Sequence, residues 1–215
     1  MWAAAAGYPD LDKARDAQDR ATLDRLASRY GAAAAQLSGD ASAQYRAALA
    51  ESYRAEVAIE TGDKNLARSA AESGIKAAER AVALKSDSAE YHRILGTLCG
   101  QAIPANVLAG LKYGRCAQDE VNKAVQLDPR SALNYLSRGI GNYYLPPAFG
   151  GGIEKAIADF QKAAELDPKS SDAQLWLGIA LRKANKNGDA RKALEKAAEL
   201  NPSRDWVRRQ LAKTP

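Results

Sequence analysis

The sequence is poor in the residues from which active sites are built. Among 215 residues there is one histidine, His92, and there are two cysteines, Cys99 and Cys116; with no closely spaced partner, none of them completes a metal site. No Gly-rich phosphate loop with a following lysine, no nucleophile elbow and no HExxH pattern occurs, so neither an enzyme nor a bound cofactor is expected. His92 reads as a structural side chain. Long apolar runs are missing too. The longest, Met1 to Ala6, falls far short of the roughly 20 residues that cross a bilayer, and the mean hydropathy is −0.43, so no membrane span is expected. Charge of one sign does not dominate. The formal net charge is +5, and the excess sits in residues 182–215, which hold ten Lys/Arg against four Asp/Glu. These basic residues fall at helical spacing without interleaved aromatics or glycine loops, so nucleic acid is not expected as a partner.

What is abundant is alanine, with 46 residues. Alanine is the best helix former and lets helices approach closely, which predicts an all-α chain of helices packed on helices. A repeat organises it. Ala81-Val-Ala-Leu-Lys-Ser86, Ala124-Val-Gln-Leu-Asp-Pro129, Ala163-Ala-Glu-Leu-Asp-Pro168 and Ala197-Ala-Glu-Leu-Asn-Pro202 align, their last residues 43, 39 and 34 apart. Ten residues beyond the first three, a new helix carries Gly96, Gly139 or Gly178. A fixed offset inside a variable period marks one structural unit with inserts of different length.

The unit from Ser171 to Pro202 resembles a tetratricopeptide repeat, with Leu177, Gly178 and Leu181 in its first helix, Ala190, Leu194 and Ala197 in its second, and Asn201-Pro202 at its end. The resemblance implies a right-handed solenoid of antiparallel helix pairs with repeats at 48–86 (degenerate), 89–129, 132–168 and 171–202. Residues 1–10 read as a leader or leftover signal segment, 11–47 as an N-terminal helical cap with one helix over Leu11–Tyr30, and 203–215 as a C-terminal capping helix. In such an array the first helices line a concave groove. The groove positions are Ser52, Glu56 and Ile59; Glu90, Arg93, Thr97 and Gln101; Leu133, Leu136, Ile140, Tyr143 and Tyr144; and Asp172, Leu175, Ile179, Arg182 and Lys183, with Trp176 nearby. Leu136, Ile140, Tyr143, Tyr144 and Trp176 predict an apolar, aromatic binding patch, with Arg182 and Lys183 as a basic edge for acidic groups. The basic pair alone is not the carboxylate clamp of chaperone-binding relatives.

The second and third repeats carry extra residues between their helices, around Ile103–Lys112 and at Leu145-Pro-Pro-Ala-Phe-Gly-Gly-Gly-Ile153. The glycines at a helix start offer an anion site; a loop that docks on the groove or a partner is the other reading. This insert is similar to one in bacterial periplasmic tetratricopeptide proteins, among them the T-component family of TRAP-type transporters, and that similarity implies a periplasmic or secreted location, with the cytoplasm as the alternative. Cys99 and Cys116 flank the first insert symmetrically, at similar heights in an antiparallel pair; a disulfide and two separate buried thiols both fit. The expected function is a non-enzymatic module that binds a protein or peptide in the groove. The alternatives are a homo-oligomer stacked end to end through Trp2, Tyr8, Trp206, Val207 and Leu211, and a periplasmic accessory subunit that hands a small ligand to a transporter.

Overall fold

The computed structural model describes residues 8–103 and 107–215. The alanine-rich leader with Trp2, and Pro104 in the first insert, lie outside them. The described residues form eleven helices and no strand: α1 (Pro9–Asp16), α2 (Arg20–Gln36), α3 (Ala41–Thr61), α4 (Lys64–Leu84), α5 (Ala89–Ala102), α6 (Val107–Leu127), α7 (Ala132–Tyr144), α8 (Ile153–Leu166), α9 (Ser171–Lys183), α10 (Asn187–Leu200) and α11 (Asp205–Ala212). Most starts are set by a short polar side chain that accepts from an otherwise unpaired backbone N–H. Asp63, Ser88, Ser131 and Ser170 do this for the N–H groups of Leu66, Tyr91, Asn134 and Ala173.

The four pairs α3/α4, α5/α6, α7/α8 and α9/α10 make a right-handed solenoid. Within three of them a glycine on the first helix admits a bulky side chain of the second. A Cβ at Gly96, Gly139 or Gly178 would lie 2.8 Å from Val121 Cγ1, 2.5 Å from Phe160 Cε1 or 2.6 Å from Leu194 Cγ. These distances leave no room for a methyl, so the constant glycine offset in the sequence is a packing requirement.

The N-terminal region departs from the sequence reading in two places. The helix expected over Leu11–Tyr30 is broken at Gln18, which takes φ 52, and restarts because Asp19 accepts from Thr22 N at 3.0 Å. It then continues past Gly31 to Gln36, carried by the alanines 32–35. The boundary drawn between 47 and 48 falls inside α3, whose start is fixed by Asp40 accepting from Ser42 N and Ala43 N. A run of small residues without an apolar period hides both features.

The apolar core is divided. One cluster joins α1 to α6 through residues such as Leu11, Leu26, Val57, Ile75 and Leu98. A second joins α7 to α11 through Phe160, Leu175, Trp176, Leu194 and Val207. Between them α5 and α7 are joined by polar bonds: Thr97 Oγ1 donates to Ser137 Oγ at 3.2 Å, and Arg93 Nη1 reaches the same oxygen at 3.3 Å. Nearby, Asn134 Nδ2 donates to the carbonyls of Ala124 and Asp128 at 2.9 and 3.0 Å, tying α7 to the end of α6. Cys99 and Cys116 are disulfide-bonded across α5 and α6, Cα atoms 6.0 Å apart.

Gly178→Ala is expected to destabilise the fold by about 1–3 kcal/mol, the usual cost of overpacking a filled core. Gly188→Ala on the next helix, where an added Cβ meets nothing within 4 Å, should leave stability close to wild type. Urea unfolding of the two variants checks this.

Candidate functional site

The inner helices line an open cavity of about 1580 Å³. Its wall has a mixed sector and a greasy one. The mixed sector carries Tyr45, Ser52, Tyr53, Glu56, Ile59 and Glu60 from α3 and Glu90, Arg93, Thr97 and Gln101 from α5. The greasy sector carries Leu133, Leu136, Ile140, Tyr144 and Trp176, with Leu111 and Phe149 from the inserts. Phe149 is 70% exposed and Leu111 83%, and both belong to the rim, where Gln118 Nε2 donates to the Phe149 carbonyl at 3.3 Å. Burial, with the neighbouring Tyr143 phenol adding to it, pushes the Tyr144 hydroxyl up to about 12, so it stays a neutral phenol.

The predicted groove residues divide. Leu133, Leu136, Ile140, Tyr144 and Trp176 face the cavity, as do Ser52, Glu56, Ile59, Glu90, Arg93, Thr97, Gln101 and Asp172. Tyr143, Leu175, Ile179, Arg182 and Lys183 do not, and the basic edge is corrected accordingly. α11 and the last residues fold back over α9. Leu175 and Ile179 are buried in the C-terminal core, and Arg182 donates to Gln210 O, Gln210 Oε1 and Thr214 Oγ1 at 3.0, 2.6 and 2.8 Å. Lys183 donates to the Tyr143 carbonyl at 3.0 Å and lies 4.1 Å from the centre of its ring. The Tyr143 ring itself supports the site from behind, edge-on to Tyr144 and Trp176 at 5.0 and 5.8 Å. Trp176 also stacks on Phe160 at 6.0 Å and meets Trp206 edge-on at 5.3 Å.

The glycines of the second insert form no anion cradle. The N–H groups of Gly150, Gly151 and Gly152 donate to the carbonyls of Pro147, Pro146 and Asn142 at 2.9, 3.3 and 3.0 Å, so the loop consumes its own donors. His92 sits between Glu120 Oε2 at 2.5 Å and the Ser86 carbonyl at 2.9 Å, an acid partner that the sequence did not disclose. Among the described residues no group of three or more His, Cys, Asp or Glu could hold a metal ion, and no helix is long and apolar enough to cross a membrane.

The feature that sequence reasoning missed is closure. The two ends of the solenoid meet. Arg204, in the turn before α11, has a side chain with 0% exposure, paired with Glu60 and, at 2.8 Å, with Glu56 on α3. From α1, Arg15 pairs with Asp172 of α9 at 2.8 Å, and Asp16 Oδ2 accepts from Asn201 Nδ2 at 2.7 Å. Gln18 Nε2 adds a bond to Glu60 at 2.6 Å. Burial and the like charge of Glu56 push Glu60 up to about 7 against the pull of Arg204. Glu56 is raised by burial as well. For Asp172 burial acts upward, but Arg15 and Arg204 outweigh it and hold the carboxyl below its ordinary value. The side chains expected to stack copies end to end are spent inside the molecule: Tyr8 and Trp206 line the cavity, Val207 is fully buried, and Leu211 packs on the C-terminal core.

Residues 151–214 match the tetratricopeptide repeat family model. Regulator of microtubule dynamics protein 3 of Rattus norvegicus is 30% identical over 173 residues, 73% of this chain and 36% of that protein; the Mus musculus protein of the same name is 29% identical over 157 residues, 65% of this chain and 33% of its own length. The chain thus spans about a third of the length of these curated relatives. Among solved structures, a thermophilic tetratricopeptide-repeat protein of Thermus thermophilus superposes with a TM-score of 0.67 at 19% identity, covering 90% of each chain. The HusA haemophore of Porphyromonas gingivalis does so with a TM-score of 0.60 at 17% identity, covering 85% of this chain and 96% of that one. At these identities the two structures show the fold alone.

Arg204→Met is expected to cost about 3–5 kcal/mol at pH 8, because it strands the Glu56 and Glu60 carboxylates in a buried site. The loss should be smaller at pH 5, where Glu60 carries its own proton. Urea unfolding at the two pH values reads both.

Proposed function

The chain is a tetratricopeptide-repeat protein, and from that premise we propose that it is a non-enzymatic interaction module whose binding site is the central cavity, taking an extended, mostly apolar segment of another protein. The family's fold supports a protein-binding role in general. The finer reading rests on one observation: Leu133, Ile140 and Tyr144 line one wall of the open cavity, backed by the buried Leu136 and Trp176. Apolar and aromatic side chains left facing a cavity are the usual anchors of a bound segment. The polar sector formed by Ser52, Thr97 and Gln101 supplies donors and acceptors for its backbone. A second reading, carriage of a small apolar ligand for a transporter, is favoured by the apolar lining of the cavity.

The test is selection of binding peptides from a random library, followed by titration against wild type and against Leu133→Ser/Tyr144→Ser. Both side chains are substantially exposed, at 43% and 58%, so the double variant should keep the fold. Enriched peptides should be apolar and should lose at least tenfold in affinity, about 1.4 kcal/mol. Equal binding to both proteins would refute the site, and stabilisation by small apolar molecules with no peptide enriched would favour the carrier reading.

The Cys99–Cys116 bond supports a periplasmic or secreted location, because disulfides persist in oxidising compartments. Alkylation of the protein in intact cells, before any reductant, should leave both cysteines unlabelled. Labelling of both would place it among cytoplasmic proteins.

A further inference from the structure

No apolar cluster spans both halves of the chain, polar bonds join the halves on one side, and an ionic contact joins their far ends: the arrangement is that of a jaw. The α1–α6 lobe and the α7–α11 lobe are linked through the turn after Leu127, where Asp128 N donates to Ala124 O at 2.9 Å and Ser131 N to Asp128 O at 3.4 Å. The seam beside that turn holds Thr97, Arg93, Ser137 and Asn134, groups that water can satisfy if the lobes part, alongside the buried Val121, Ala124 and Val125 of α6. The cavity lies between the lobes, with Ser52 and Arg93 on one side and Ile140 and Trp176 on the other. Opposite the seam the lobes touch through Arg15, Asp16, Glu56, Glu60, Asp172 and Arg204.

We infer that the molecule is a two-lobed clamp, hinged at the α6–α7 turn and latched by these six side chains, and that rising pH through neutrality releases the latch and opens the cavity. The inference concerns regulation of the site proposed above, but its physical basis needs no ligand. The latch holds two arginines against four carboxylates, so full ionisation leaves an excess of two negative charges in a buried space. Every element packed there contributes: Asp12, Arg15 and Asp16 from α1, Gln18 after it, Tyr53, Glu56 and Glu60 from α3, Asp172 from α9, and Asn201 and Arg204 around the start of α11. None of the added groups supplies a third cation.

The sign follows from linkage. Glu60 binds its proton more tightly in the closed molecule, at about 7, than the ordinary glutamate value of 4.5. Its contribution to closure is therefore full below about 4.5 and lost as pH rises through about 7. Asp172, held below its ordinary value by Arg15 and Arg204, acts in the opposite sense and loosens the latch only in stronger acid. Closure is thus tightest in mild acid. Opening exposes Glu60 to water and returns it to ordinary acidity, so deprotonation and opening drive each other.

Amide hydrogen exchange of the unliganded full chain tests this, because protection reports the free energy of local opening. Between pH 5.5 and 8.5, after correction for the intrinsic rate, protection of α1 and α11 should fall at least tenfold, while α4 and α10 on the outer layer hold theirs. In Glu60→Gln, which keeps the shape and the acceptor for Arg204 but cannot ionise, the fall should vanish. Protection of α1 and α11 that does not change with pH in the wild type would overturn the inference, whatever the variant does. An equal fall in wild type and variant would overturn the role of Glu60 and with it the latch. Neither outcome bears on peptide binding, which is read separately.

Discussion

The structure depends on one buried guanidinium. Arg204 is withdrawn completely from water, and a charge in that position is tolerable only because Glu56, Glu60, Asp16 and Asp172 surround it. These partners come from α1, α3 and α9, so satisfying the arginine brings the first and last parts of the solenoid together. Ordinary solenoids bury apolar faces between neighbours and leave a groove between their ends. Here the groove becomes a deep cavity open at its rim, and apolar residues of α7 and α9 form part of its wall.

The fold class was legible because its requirements are local. The glycine ten residues beyond Ser86, Pro129 and Pro168 is needed where a Val, Phe or Leu of the second helix crosses the first, so it recurs with the period of the structure. The greasy wall was half legible. Leu133, Leu136, Ile140 and Tyr144 could be placed by counting along one helix, whereas Leu175 and Ile179 are buried in the C-terminal core, Arg182 is taken by Gln210 and Thr214 and Lys183 by Tyr143, and what covers a helix face is not written in that helix. The latch was illegible. Arg15 and Asp172, or Arg204 and Glu60, are 157 and 144 residues apart, and nothing in either neighbourhood marks one as the partner of the other. The basic C-terminal stretch is likewise opaque in the sequence: Arg182 and Arg204 are both committed to contacts inside the molecule.

The inserts and the disulfide bear on the same region of the cavity. Both interruptions of the repeat period lie at the rim, where Leu111 and Phe149 extend the greasy sector beyond the helices. The Cys99–Cys116 bond ties the two helices that flank the first insert, so this part of the rim has a covalent support that the second insert, held by hydrogen bonds, lacks. The two sides of the opening therefore differ in stiffness: one is anchored in the α5–α6 pair, the other is a proline- and glycine-shaped loop resting on Gln118.

A repeat protein with free ends behaves as a one-dimensional array, in which each unit is stabilised by its neighbours and the terminal units, having only one, fray first. Joining the ends changes that arithmetic. When α1 and α3 are held to α9 and the α11 turn, the first and last repeats acquire the neighbour they would otherwise lack, and no unit can peel away without first exposing Arg204. Melting then has no preferred place to begin, and an array built almost wholly from short-range contacts gains the all-or-none cooperativity of a globular domain.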